Sequence, residues 1–322
     1  MHYRWLIYIF ILMSAEAIMV ISEIQADIRS VQEDMALYDE TNFDSRAKAI
    51  DFIEFHIIYR LEGLVQHDGP NENLEILKQH AEKLKYRLEK IDTELFKQLR
   101  ENIRTGSYTP STFKNMAGRY TGYNLCDIDQ SDTIGYDNLD VFINGLLGGQ
   151  PIPEAKTELE PEMVFYQKTP ARIIFELADL AEIKQDDVFF DLGSGLGQVA
   201  LLMNLISDVP AIGIEFEPAY CNYANACALQ LNLANVKFKN EDARKGDYAL
   251  GTIFFMYTPF EGLILQNVLD ILRQESQKRM IIIFTYGPCS PHVARQNWLN
   301  CVNGIVDNPY KLYEFRSLTN LA

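Results

Sequence analysis

The chain is short of basic residues. Lys and Arg number 29 against 45 Asp and Glu, a formal net charge of −16 over 322 residues. Such a surface repels phosphate backbones, so DNA binding is not expected; it would attract a basic protein, and an acidic balance also serves plain solubility. Cysteine is also sparse: five residues, at 126, 221, 227, 289 and 301, an odd number without a close paired framework. That excludes a disulfide scaffold and suits a reducing compartment. Histidine is as rare. Cys289 and His292 stand in a C-x-x-H spacing, but the other histidines are at 2, 56, 67 and 80. A zinc site needs further ligands, so no metal is expected, and His292 is left as a candidate base or a plain loop residue. Repeats and low-complexity tracts are absent.

Long apolar runs are limited to one, Trp5 to Ile21, preceded by Arg4 and interrupted by Glu16. It falls short of the ~20 residues that span a bilayer. Residues 1–27 therefore read as an anchor, a signal segment, a start-site artefact or a helix packed on the body. The expected location is cytoplasmic, with a tethered form and weak membrane association through residues 5–21 as the alternative.

Residues 28–150 read as a helical N-terminal domain. Apolar residues recur at helical spacing over Ser45–Val65. Leu74, Leu77, Ala81, Leu84, Leu88, Ile91, Leu95 and Leu99 form a stripe close to heptad spacing along 71–105. Shorter helices are predicted over 110–120 and 136–147. The segment 148–153 (GGQPIP) reads as a linker to a second domain, 151–322. The helical domain is expected to form part of a substrate cleft or a dimerisation pair.

The second domain contains Phe189-Phe190-Asp191-Leu192-Gly193-Ser194-Gly195-Leu196-Gly197-Gln198-Val199. A buried strand feeds a glycine turn that opens a helix, the geometry that lets a nucleotide approach backbone. The glycines are spaced G-x-G-x-G; the dinucleotide fingerprint would need a third at 198, which is Gln198. Asp191 heads the turn where a pyrophosphate would settle, and a carboxylate there opposes a diphosphate by Coulomb repulsion. It suits S-adenosylmethionine (SAM), whose sulfonium and ammonium are cationic. Gly193, Gly195 and Gly197 are then expected to give the cofactor room. Ala211–Glu215 reads as the next strand, ending in an acid that can accept both ribose hydroxyls. Val236–Asn240 reads as a third, followed by Glu241-Asp242-Ala243, where an acidic side chain could take the adenine amine. Strands over 251–256 and 279–284 follow.

On these motifs, residues 160–322 resemble the class I, seven-strand SAM-dependent methyltransferases. FFDLGSGLGQV with GIEFEP most closely resembles the non-SET histone-lysine methyltransferases of the disruptor-of-telomeric-silencing class. It is also similar to a small family of bacterial and mitochondrial lysine methyltransferases with an apolar N-terminal segment. The resemblance implies a Rossmann-like α/β fold, a seven-stranded αβα sandwich. It implies Asp191, Gly193 and Gly195 along the methionine and ribose side, Glu215 at the ribose and Asp242 at the adenine. Tyr166 and Thr169, in the segment FYQKTP, are carried over as contacts from a cofactor-covering segment.

The resemblance departs after strand four. Many amino-group methyltransferases have Asn or Asp, Pro, Pro and an aromatic there; this chain has Tyr257-Thr258-Pro259-Phe260. Thr258 lacks the oxygen that accepts from a planar base amine, which counts against nucleobase chemistry. Tyr257 and Phe260, joined by Tyr286, are expected to wall a channel for an amine. The expected reaction is methyl transfer to a protein lysine. The alternatives are small-molecule or RNA methylation, or a non-catalytic SAM-fold binding or scaffold protein. A protein substrate is the expected partner; the oligomeric state is open.

Overall fold

The computed structural model describes residues 19–69, 71–124, 135–148 and 151–318. The apolar segment 5–21 lies largely outside them, as does Cys126. Among the described residues no helix is long and apolar enough to cross a membrane. The chain divides into two compact units: Met1–Lys97 with Tyr120–Gly122, and Gln98–Arg119 with Tyr123–Ala322.

The first unit is helical. Residues 19–33 form α1, followed by α2 (Phe43–Phe52), a π-helical turn (Ile53–Ile58), α3 (Tyr59–Asp68) and the long α4 (Glu72–Arg104), whose last turns belong to the second unit. The predicted helix over 45–65 is thus continuous but widened in its middle, which keeps Ile53, Ile57 and Ile58 buried. They pack with Ile24 and Ile28 of α1 and with Leu74, Ala81, Leu84 and Leu88 of the α4 stripe. Within this core the Arg46 guanidinium is fully buried. It donates to Asp92 Oδ1 at 2.7 Å and to the carbonyls of Leu37, Asp39 and Glu40. A buried charge persists only when paired and hydrogen-bonded in this way.

The second unit holds α5 (Pro110–Thr121, most of its length), α6 (Asn138–Leu147) and α7 (Ala171–Leu180); of the linker predicted at 148–153, residues 149 and 150 lie outside the described residues. The αβ part follows: β1 (Phe189–Leu192), α8 (Gln198–Ser207), β2 (Ala211–Glu215), α9 (Pro218–Gln230), β3 (Val236–Asn240), β4 (Ile253–Tyr257), α10 (Gly262–Ser276), β5 (Ile282–Tyr286), α11 (Ser290–Ala294), β6 (Leu299–Cys301) and β7 (Tyr313–Ser317). The seven strands are ordered β3-β2-β1-β4-β5-β7-β6. β1 to β5 are parallel, and β7 joins β5 antiparallel, with β6 antiparallel to β7. This is the seven-stranded αβα sandwich that the resemblance implied.

Two local features shape the sheet's active end. β1 is buried throughout, as a central parallel strand covered on both faces must be. The strand order reverses at β1, between β2 on one side and β4 on the other. In open α/β sheets ligands bind beyond the carboxyl ends of the strands at such a switch point. Strand five begins at Ile282 rather than Arg279 because Arg279 is engaged elsewhere. Its guanidinium donates to Glu275 Oε2 and to the carbonyls of Tyr248 and Gly251.

Candidate active site

A cavity of about 540 Å³ opens at the carboxyl ends of β1, β2 and β4. The glycine turn forms its floor. Gly193, Gly195 and Gly197 all have positive φ, at 76°, 51° and 84°. The left-handed backbone costs an L-residue about 1–2 kcal/mol, and neighbouring side chains leave no room either. A Cβ on Gly193 would strike Pro259, and one on Gly195 would strike the ring of Tyr166. The obstacle to a side chain is therefore the protein itself, and not only a ligand. Gly193 lines the cavity; Gly195 lies beneath Tyr166, and Gly197 is turned against Phe238 and Ala224.

Asp191 is 3% exposed, and its Oδ2 has no hydrogen-bond partner. Burial pushes this carboxyl up to about 8, and the neighbouring Glu215 carboxylate adds to the shift. A buried acceptor without a donor is costly unless a ligand supplies one. Glu215, also buried, ties the loop: Oε2 accepts from Gly195 N at 2.6 Å and Oε1 from Glu217 N at 2.7 Å. Burial raises its pKa, and these amides oppose the rise. Asp242 is bound to Arg244, through the backbone amide and the guanidinium, and Arg244 reaches on to Glu160. Those bonds hold Asp242 below the usual carboxylate range against its burial.

The roof is the segment 155–167. Glu217, 3% exposed, accepts from the amides of Lys156 and Thr157 with one oxygen and from Ala219 N with the other. Burial alone would raise its pKa, yet these bonds hold it at about 2. Glu162 Oε2 accepts from Ile264 N at the start of α10, and Val164 N donates to Pro259 O. The next residues are braced by α6 and α8. Tyr136 Oη donates to Lys168 O, Lys168 Nζ to Asn144 Oδ1, and Gln198 Nε2 to Thr169 O. Asp140 Oδ1 accepts from Ala171 N, capping α7 from another helix. Tyr166 is thereby seated over Gly195, with its hydroxyl against the Leu196 amide.

At the β4 end the wall is aromatic. Tyr257 Oη donates to Gln167 Oε1 at 3.3 Å, and its ring lies 5.0 Å from that of Tyr286. Burial pushes the Tyr257 phenol up to about 12. Phe260 is 5% exposed, and its backbone bridges Met163. Thr258 has φ of +40° and turns its hydroxyl inward, toward Cys289 N and Tyr286 O.

Residues 162–244 match the sequence profile of the family described as histone methylation protein DOT1. The stretch runs from the roof through the glycine turn, Glu215 and Asp242 to Arg244. This is a SAM-dependent methyltransferase domain, similar over that stretch to the DOT1 family. Among solved structures the chain is similar to an RNA methyltransferase from Salinibacter ruber in complex with S-adenosyl-L-homocysteine, at 20% identity over 48% of this chain and 96% of that one, with a TM-score of 0.38. It is also similar to precorrin-6y C5,15-methyltransferase from Geobacter metallireducens, at 15% identity over 49% and 94%, TM-score 0.37. A third likeness is a SAM-dependent methyltransferase from Aquifex aeolicus, at 16% over 46% and 93%, TM-score 0.37. At such identities and scores these likenesses decide nothing about the reaction. No curated protein matches the chain.

The methyltransferase cavity suits its cofactor. Six carboxylates line it, from Glu158, Asp191, Glu215, Glu217, Glu241 and Asp242, and among the described lining residues there is no lysine, arginine or histidine. A ligand bearing a sulfonium and an ammonium answers that field, and the unpartnered Asp191 Oδ2 needs such a donor. Of the expected site residues, Tyr166, Thr169, Asp191, Gly193, Glu215, Asp242, Tyr257 and Phe260 line one cavity. Gly195 and Gly197 stand behind it. His292 does not line it; its Nε2 pairs with Gln266 Oε1 at 3.0 Å. Cys221 and Cys227 are buried along α9, as packing residues. Sequence reasoning missed Glu217, Glu162, Arg244 and Gln167. A glutamate just before Pro218 at a helix start is a capping signal, but its second duty on the roof joins residues 60 apart.

Proposed function

We propose that this methyltransferase transfers the SAM methyl group to the side-chain amine of a protein lysine. The observation that carries the reading is the character of the cavity, carboxylates without a cation and a wall of neutral aromatics at the β4 end. A cationic side chain is drawn to such a site, and a phosphate-bearing acceptor is repelled. The chain's net charge of −16 favours a basic partner in the same sense. The DOT1 match supports a protein acceptor.

In this reading Asp191 receives the cofactor's ammonium, Glu215 the ribose hydroxyls and Asp242 the adenine amine, with Tyr166 and Thr169 covering them and the glycine turn giving the backbone close approach. When bound, SAM supplies an electrophilic methyl on a sulfonium, and its sulfur leaves as a neutral thioether. The work of the chain is to align the amine near 3 Å from that carbon and to present it unprotonated. The reference pKa of lysine is ~10.4, and a largely apolar channel lowers it by desolvation. Tyr257 and Phe260 build that channel. The Tyr257 phenol, pushed up to about 12, stays neutral and serves as a hydrogen-bonding group rather than as a base. The helical residues 28–150 are proposed to take part in choosing the substrate of the catalytic residues 151–322.

The test is transfer from labelled SAM into a lysate, followed by digestion with protease or nuclease. Methyl-lysine in the acid hydrolysate of protease-sensitive material is the expected result. Label lost only to nuclease would reject the lysine reading.

A further inference from the structure

The residue that follows β4 cannot do what its counterpart does in many amino-group methyltransferases. Thr258 carries no amide or carboxylate. Its hydroxyl accepts from Cys289 N at 3.2 Å and donates to Tyr286 O at 3.4 Å, and the residue is 6% exposed. The acceptor end of the cavity, lined by 163–167 and 257–260, contains no charged side chain. Two polar side chains meet there instead, Tyr257 and Gln167, joined by a hydrogen bond of 3.3 Å from the phenol to the amide oxygen.

That pair suits a neutral amine. The phenol spends its proton on Gln167 and keeps lone pairs; the amide oxygen keeps its second lone pair. Two acceptors 3.3 Å apart can both receive N–H bonds from one nitrogen. With its hydrogens so directed, the nitrogen lone pair is left to point elsewhere. A carboxylate in the same position would stabilise the ammonium and remove the nucleophilic lone pair; an amide orients without doing so. The backbone of Gln167 is held although its side chain is exposed. Tyr166 before it is seated on Gly195, and the carbonyls of Lys168 and Thr169 after it accept from Tyr136 Oη and Gln198 Nε2.

We propose that Gln167 is a catalytic residue whose amide oxygen, with the Tyr257 hydroxyl, receives the hydrogens of the acceptor amine and takes over the orienting part that Thr258 does not play. The assignment rests on the reading of the site as an amine methyltransferase. It deepens that reading by drawing a catalytic group from the roof segment rather than from the strand-four motif.

The test uses two cofactor analogues and needs no knowledge of the substrate. S-adenosylhomocysteine has no group in the place of the transferred methyl. Sinefungin has an amine-bearing carbon in place of the sulfonium and its methyl, so its amine presents N–H donors to the groups that would hold an acceptor. Both affinities are measured by calorimetry for the wild-type chain, Gln167→Ala and Gln167→Glu. The expected result is that Gln167→Ala loses about tenfold or more for sinefungin, the range of a hydrogen bond to a charged group, with adenosylhomocysteine unchanged. Gln167→Glu should bind sinefungin more tightly than wild type. Equal losses for both analogues would show that Gln167 only seats the roof, and no change for either would show that it is idle; each result overturns the proposal. Failure of the wild-type chain to bind either compound would instead overturn the placement of the cofactor in this cavity.

Discussion

Glu215, at the end of β2, holds the amide of Gly195 at 2.6 Å, so the second strand fixes the loop that follows the first. The same carboxylate accepts from Glu217 N, and Glu217 in turn carries the roof amides of Lys156 and Thr157. Floor and roof of the cavity are therefore linked through adjacent acids at one strand end. Glu215→Ala removes the proposed ribose acceptor and releases the loop together. It is expected to cost on the order of 1.5–3 kcal/mol in SAM affinity, the range for hydrogen bonds to a charged group. Calorimetric titration checks it, and an unchanged dissociation constant would remove Glu215 from the site.

Gly195 and Tyr166 form a second coupled pair. Gly195→Ala places a methyl where the Tyr166 ring lies and imposes a left-handed backbone on an L-residue. SAM binding should weaken because the covering ring is displaced. In a Tyr166→Ala background the same change meets no ring, so the double variant should be tighter than the sum of the two losses, with a coupling of about 1 kcal/mol or more. Strict additivity would show that the ring is not what the glycine accommodates.

Asp191 gives the protein a pH signature. Burial, with Glu215 beside it, raises this carboxyl from the ordinary 3.8 to about 8. Between those values the folded chain without cofactor holds one proton more than the unfolded chain, so this group's contribution to stability is full below about pH 4 and is lost as pH rises through 8. A cationic ligand reverses the preference and favours the carboxylate. SAM affinity should therefore rise with pH from 6 to 8, and binding at pH 7 should release a proton. Titration in buffers of different ionisation enthalpy measures that release. Asp191→Asn should abolish it and flatten the pH dependence.

The helical unit has its own sensitive point. Removing the Arg46 side chain takes from the buried Asp92 carboxylate and from the carbonyl of buried Leu37 the guanidinium that donates to them. Burial already pushes the Asp92 carboxyl up against the pull of Arg46. Arg46→Leu is expected to destabilise by about 3–5 kcal/mol, as for other broken buried pairs. Adding Asp92→Leu should recover part of that loss, because no lone charge then remains. Denaturant unfolding of the three variants tests the claim; a second substitution that only adds to the damage would contradict it.

Much of the αβ unit was legible because its signals are local. β2 and β3 fall at the predicted 211–215 and 236–240, since short apolar or alternating runs between turn residues can be little else. The glycine turn announced a strand, a bend and a helix in consecutive residues. β6 and β7 were not legible. They are short, and their antiparallel place beside β5 is set by a pairing that neighbouring residues do not encode. The π-helical turn at 53–58 escaped for a similar reason: helical periodicity does not reveal an added residue in one turn. Helices at 110–121 and 138–147 were found, but their place in the cofactor-bearing unit was not. It depends on contacts such as Arg100 Nη1 to Gly145 O and Asp140 Oδ1 to Ala171 N, between residues 45 and 31 apart.

By itself the sequence determined the chemistry of the cofactor: an acid heading a glycine bend, with further acids one and two strands on, selects a phosphate-free cation, because Coulomb repulsion acts whatever the rest of the chain does. Only the tertiary structure decided who surrounds that ligand. The meeting of Gln167 with Tyr257, of Glu217 with Lys156 and Thr157, and of Tyr166 with Gly195 joins segments distant along the chain. A hydrogen bond or a steric contact is set by a distance of a few ångströms in space, which spacing along a chain does not fix.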